Sequence, residues 1–238
     1  MVPGGPLIPD RPRAETEDLP TAVPTPVPTP VPTPVPTASG GGEALAGAVL
    51  VGLSLAAAIV VRVHPGPNRV DVRGFAAIPK NADSAILHRI TDLGLPAALV
   101  TGTLLAAVVV IRRDRWRAAA CVAGPFLTAV LVEYVGKPLV ARRYLGVLSY
   151  PSGNVADLAA VVTALAVAVP RWIRPAVIAV GAVAVGLMIV AVIGLRWHYP
   201  TDALAGAVLG AGVVLLVDGA VHLLLAHRGP DPAHAHQR

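Results

Sequence analysis

The sequence predicts an all-α integral membrane protein, a bundle of about six transmembrane helices behind a disordered, proline-rich N-terminal tail. Three observations lead there. Of the 238 residues, 55% are hydrophobic and only 14% charged, with a mean hydropathy of +0.68, whereas an ordinary soluble chain carries roughly 25% charged residues. Uncharged runs recur at 44–61, 93–111, 118–132, 158–170, 175–195 and 203–217, and about 20 mostly apolar residues suffice to span a bilayer. The runs are rich in Gly and Ala, which let helices approach closely inside a membrane. Together these observations exclude a water-soluble domain.

In chain order, residues 1–43 form the tail. Val-Pro-Thr-Pro repeats through 23–37, fixing φ and removing backbone donors at alternate positions, so polyproline II is its expected local state, as a stiff spacer rather than a folded unit. Met1 to Arg13 lacks the apolar core of a secretory signal, so the first apolar run is expected to be retained as a span. The membrane domain occupies 44–226. Its third, fourth and sixth runs reach full length only by including Glu133, Asp157 or Asp218, acids expected to face the bundle interior or an interface. Cys121 is the single cysteine and forms no internal disulfide. Asp218 and His222, spaced i,i+4, read as interfacial. The polar segment 227–238 carries His227, His234 and His236, but no spacing resembles a built zinc site and no metal is assigned.

Lys and Arg are spread over loops on both sides, so counting them does not set the topology. The most compact basic cluster, Arg112 to Arg117, sits in a very short loop and favours a cytoplasmic amino terminus. Six spans then place both termini in the cytoplasm of a multi-pass cell-membrane protein.

Two polar islands, Lys137 to Asn154 and Arg196 to Asp202, interrupt the apolar pattern. One joins the third and fourth runs and the other joins the fifth and sixth, so both fall on one face, extracytoplasmic in this orientation. Lys137, Arg142 and Arg143 supply cations. Ser152 is placed as N-cap of the fourth helix, so that its hydroxyl, the Gly153 turn and free backbone N–H groups can meet an anion. Pro200 suits a helix first turn, and Asp202, four residues after His198, is placed to hold one imidazole nitrogen and leave the other free to attack. Glu133 and Lys137 are spaced for an i,i+4 ion pair. Cations, a Ser-Gly turn and a His/Asp pair outline a phosphate site, and at a bilayer surface its natural ligand is a lipid-borne phosphate.

These residues resemble the type 2 phosphatidic acid phosphatase family, whose signature is Lys, six residues, Arg-Pro; then Pro-Ser-Gly-His; then Ser-Arg, five residues, His, three residues, Asp. The resemblance covers about 86–217 and is most specific at Leu148-Ser149-Tyr150-Pro151-Ser152-Gly153 and His198-Tyr199-Pro200-Thr201-Asp202. It implies a six-helix bundle that hydrolyses a lipid-linked phosphate or diphosphate through a phosphohistidine, with no metal or cofactor. Its partners would be membrane lipid and the lipid phosphate, not nucleic acid. Carried over by position, His198 is the nucleophile, Asp202 its orienter, and Lys137, Ser152 and Gly153 phosphate ligands.

The departures are specific. Tyr144 stands seven residues after Lys137, so Arg142 or Arg143 must supply the first clamp. Asn154 occupies the general-acid position, and an amide cannot deliver a proton. Ala191 and Val192 replace Ser-Arg, and Arg196 lies nearby at a different spacing. General acid catalysis is typically worth about 10²- to 10⁴-fold, so reduced activity is expected. The alternative is a catalytically impaired membrane protein that binds a phospholipid without hydrolysing it. A transporter is disfavoured, because the ionisable residues gather at a surface rather than at the bilayer midplane.

Overall fold

A computed structural model describes Met1, residues 40–81 and residues 83–227. The expected polyproline tail and the last polar residues, with His234 and His236, lie outside the described residues. The elements run α1 (Gly40–Val63), α2 (Arg69–Ala77), α3 (Ala85–Thr91), a 3-10 turn (Asp92–Gly94), α4 (Pro96–Val110), α5 (Arg115–Val130), a π-helical turn (Leu131–Gly136), α6 (Lys137–Val140), a hairpin of β1 (Arg143–Tyr144) and β2 (Val147–Leu148), α7 (Gly153–Ala168), α8 (Arg174–Gly194) and α9 (Pro200–His227).

All six apolar runs are helical, but they do not make six equal spans. Four helices are long and apolar enough to cross a membrane: Gly40–Val63, Arg115–Val140, Arg174–Gly194 and Pro200–His227, of 24, 26, 21 and 28 residues. A fifth is reached only if Ala85–Gly94 and Pro96–Val110, bent by 47°, count as one. Leu95 is extended, with φ −66° and ψ 144°, as the residue before a proline favours, and that bend splits the second run. The fourth run becomes α7, 16 residues long. Val169, just before Pro170, is again extended, with φ −82° and ψ 156°, for the same reason.

Helix α9 is the spine. Its Gly206 and Gly210 receive α7 so closely that a Cβ on Gly206 would lie 2.5 Å from the Ser152 carbonyl, and one on Gly210 would collide with that of Ala156. Gly212 receives Leu50 and Val51 of α1. Small residues thus replace side-chain interdigitation, as expected where lipid offers no hydrophobic drive for helix pairing. Asp218 is buried, as its place in an apolar run requires, and Arg117 holds it bidentately at 3.1 Å from each oxygen. His222 approaches Asp114 at 2.9 Å, so it takes part in this ionic layer. Cys121 is buried, with its Sγ 3.5 Å from the Ala164 carbonyl.

Candidate active site

The two polar islands meet. The Ser152 N–H donates to the Asp202 carbonyl at 3.0 Å, joining the start of α7 to the start of α9. Next to this junction lies an open cavity of about 360 Å³ whose lining includes Lys137, Tyr144, Leu148, Arg196, Trp197 and His198.

Each polar side chain there has a local cause. The π turn at Leu131–Gly136, a form found often at functional sites, carries Glu133 and hands over to Lys137. The two form the expected ion pair at 2.5 Å, with Glu133 half exposed. Both lie against the beginning of α7, since a Cβ on Gly153 would stand 2.9 Å from Glu133 Oε1 and 3.9 Å from Lys137 Nζ. Ser152 is the N-cap residue of α7, but its buried hydroxyl makes no cap bond and has no partner among the described residues. Ser152 is buried and is not among the residues that line the cavity.

His198 lies in the turn between α8 and α9. Its Nδ1 stands 2.8 Å from the Ser149 carbonyl. A carbonyl only accepts, so Nδ1 carries the proton and Nε2 keeps its lone pair. Burial pushes the imidazole down to about 4, against a smaller upward pull from the Ser149 bond, so the ring is neutral at neutral pH. The orienting role expected of Asp202 is thus filled here by a backbone oxygen.

Asp202 is engaged elsewhere. Its carboxylate accepts from Arg142 Nη1 at 2.6 Å and from the Tyr199 N–H at 3.2 Å. Arg142 is wholly committed. It also donates to Asp71 at 2.7 Å, to Thr201 Oγ1 at 2.8 Å and to the carbonyls of Pro65 and Gly66 at 2.9 and 3.1 Å, and its guanidinium lies 3.9 Å from the Tyr199 ring centroid. Both ion pairs are buried on each side. Burial alone would lower the guanidinium's affinity for its proton, but the two carboxylates raise it. In this arrangement Arg142 ties loop to bundle rather than lining the cavity. Arg143 is exposed and donates to the Gly146 carbonyl at 2.8 Å across the hairpin turn, so it too stands outside the lining.

Two residues the sequence left unassigned organise the site. Asp71 accepts from Arg142 and from both the N–H and hydroxyl of Thr201, at 2.9 and 2.7 Å. Burial would raise its carboxyl, but these bonds hold it below the usual range. Its legible signal was Asn68-x-x-Asp71, a reciprocal capping box that starts α2. The second is Arg196. Helix α8 ends in a Schellman turn, with Trp197 N–H on the Val192 carbonyl at 2.9 Å and Arg196 N–H on that of Ile193 at 3.0 Å. Arg196 occupies the left-handed position, φ 60°, where glycine is usual. The turn swings its side chain over Phe75, 4.4 Å to the centroid, and into the cavity wall. Val192, at the family's arginine position, is fully buried with Val155, Met188 and Ala203. Asn154 is half-buried beside Gly94, where a Cβ would lie 3.2 Å from its Cγ, and is not part of the cavity lining.

Residues 119–223 match the family model described as the PAP2 superfamily, which spans α5 to most of α9 and bears out the resemblance carried by the motifs. No curated protein and no solved structure matched the chain.

Proposed function

We propose that the PAP2 superfamily domain carried by residues 119–223 hydrolyses a lipid-linked phosphate or diphosphate, with His198 as nucleophile. The observation that carries this reading is the imidazole itself, largely buried and neutral, tied through Nδ1 and open at Nε2, in one cavity with Lys137 and Arg196. Nε2 attacks phosphorus, the bond from phosphorus to the leaving oxygen breaks, and that oxygen takes a proton from water. A second water then cleaves the P–N bond, releasing phosphate and restoring the ring. Lys137 and Arg196 hold the non-bridging oxygens, where fixed donors act on developing charge, and the start of α7 at Ser152 and Gly153 adds the positive end of its dipole. Asp202 serves as a positioning residue, fixing Arg142 and the Tyr199 backbone. A cavity of about 390 Å³, lined mainly by apolar residues such as Pro96, Leu99, Phe126 and Val161 with Asp157 in its wall, and reaching Gly94 beside Asn154, offers room for the lipid chain.

Phosphate release from a panel of lipid phosphates by the purified chain tests the reading, with His198→Ala expected to abolish it. The pH profile adds a second criterion. Attack needs the neutral ring, so a group pushed down to about 4 stays competent until pH falls through about 4. A histidine at its ordinary pKa of about 6.5 would lose activity about 2.5 units earlier. Loss of activity centred near pH 6.5 would contradict the buried, neutral nucleophile. Parent binding of lipid phosphates without any release would favour the phospholipid-binding alternative.

Arg196 gives an independent check. A left-handed conformation costs a non-glycine residue about 1–2 kcal/mol, and such strain is kept where a side chain is needed. Arg196→Gly is expected to raise unfolding stability by up to about 1 kcal/mol while cutting phosphate release by roughly 10²-fold, the order for one lost electrostatic donor. Unchanged activity would remove Arg196 from the phosphate-holding set.

The active site is placed on the extracytoplasmic face, following the Arg112 to Arg117 loop. Leu145, 80% exposed, and Trp172, 82% exposed, mark opposite ends of the bundle. In a Cys121→Ala background, Leu145→Cys is expected to react with an impermeant thiol reagent in intact cells, and Trp172→Cys only after permeabilisation. The reverse pattern would invert the topology.

A further inference from the structure

At the end of the bundle opposite His198, helices α7, α8 and α9 leave a cavity of about 420 Å³ between them, walled by Val162, Ala166, Ile178, Ala182, Ala211 and Leu215. Its size is that of a small-molecule site. It is closed at one end by Arg174 and Glu43. All its other walls except Thr163 are aliphatic.

The guanidinium at this mouth is under-used. Arg117 takes Asp218 bidentately at 3.1 Å and also reaches Glu43 at 3.3 Å. Arg174 is left with Glu43 at 3.7 Å, beyond hydrogen-bonding distance, and a 3.5 Å approach to the Val167 carbonyl. Its Nε is buried and has no partner among the described residues. Five N–H donors in a fixed fork, with one long bond among them, suit an anion presenting two or more oxygens. Depth fixes what kind of anion that is. Trp172, two residues earlier, is 82% exposed, as an aromatic anchor at a membrane–water interface would be. Arg171 stands beside it in the same turn. The guanidinium therefore sits at headgroup level and the aliphatic cavity runs from it into hydrocarbon depth.

We propose that this cavity binds one anionic phospholipid of the leaflet opposite the reacting pocket, with its phosphate on Arg174 in competition with Glu43 and one acyl chain between α7, α8 and α9. A basic group between transmembrane helices, backed by an apolar slot, has the two recognition elements such a lipid needs. This site is separate from the hydrolytic reading and stands without it.

The test uses the purified full chain in detergent, carrying Lys137→Ala and Arg196→Gly so that neither cation of the reacting pocket holds an anion. Binding of phosphatidylglycerol, phosphatidylcholine and glycerol 3-phosphate is measured by native mass spectrometry. Phosphatidylglycerol is expected to bind at least about 10-fold more tightly than phosphatidylcholine. Arg174→Gln erases that difference, while Arg171→Gln, in the exposed turn, leaves it in place. Ala211→Leu, which fills the slot, weakens both lipids, and glycerol 3-phosphate alone binds poorly. Equal binding of the two lipids by the parent, retention of the preference by Arg174→Gln, or glycerol 3-phosphate binding as tightly as the lipid would each overturn the site. If Arg174→Gln does not fold, Ala211→Leu decides, since unchanged lipid binding there rejects the slot.

Discussion

Arg142→Ala is expected to cost about 3–5 kcal/mol of stability and to abolish function through misfolding of the site rather than loss of a substrate contact. The residue joins two buried carboxylates, Asp71 at 2.7 Å and Asp202 at 2.6 Å, and removing the shared cation leaves both charges unpaired away from water. Two carbonyls, the Thr201 hydroxyl and the Tyr199 ring lose their partner at the same time. Arg142→Lys rescues little, because an ammonium cannot reproduce a planar fork that serves five oxygens. Asp71→Asn is milder, since the amide keeps the shape and some bonds. Denaturant or thermal unfolding in detergent, read beside phosphate release, separates the cases. A normally stable Arg142→Ala protein with weakened lipid-phosphate affinity would restore Arg142 to the role of a substrate clamp.

Asn154→His is expected to raise turnover of phosphate monoesters by about 10²-fold. On the proposed mechanism the parent's leaving oxygen departs without a protein acid, which penalises an alkoxide far more than a phosphate, so a polyprenyl diphosphate should be preferred over phosphatidate. A histidine at 154 supplies the missing proton and narrows that preference. Asn154 stands at the start of α7, one residue past Gly153, with its side chain packed beside Gly94, so the gain requires the new imidazole to turn from there toward the His198 cavity. The comparison needs initial rates on both substrate classes for parent and variant. Equal parental rates would mean that another group already donates the proton. Val192→Arg brings no parallel gain, because position 192 points into the apolar cluster of Met188, Val155 and Ala203 and a guanidinium there would be buried unpaired.

The contrast between Val192 and Arg196 shows what was legible in the sequence. The motif spacing located the islands, the helix starts at Gly153 and Pro200, the Glu133–Lys137 pair and His198, because these depend on short-range rules of capping and helical spacing. Partner choice did not follow from spacing. Asp202 lies four residues from His198, yet the intervening Pro200 starts a helix and turns the carboxylate towards Arg142, while the carbonyl of Ser149, 49 residues away in sequence, meets the ring. Arg196 was set aside for its register, and only the left-handed turn at the end of α8 brings it to the cavity. The Asn68–Asp71 capping box marks a helix start, but nothing local indicates that this helix packs over the start of α9. The apolar runs were counted correctly as helices, but run length overstated the spans, because two prolines set where α4 begins and α7 ends.

The two buried ionic layers also set a depth scale along the spine helix. Asp202 anchors one layer and Asp218 the other, both on the spine helix. Sixteen residues of helix separate them, about 24 Å at 1.5 Å per residue, less than the roughly 30 Å of a typical hydrocarbon core. A bundle centred in such a core therefore holds both acids inside it, which is why each is buried against an arginine, Arg142 at one level and Arg117 at the other.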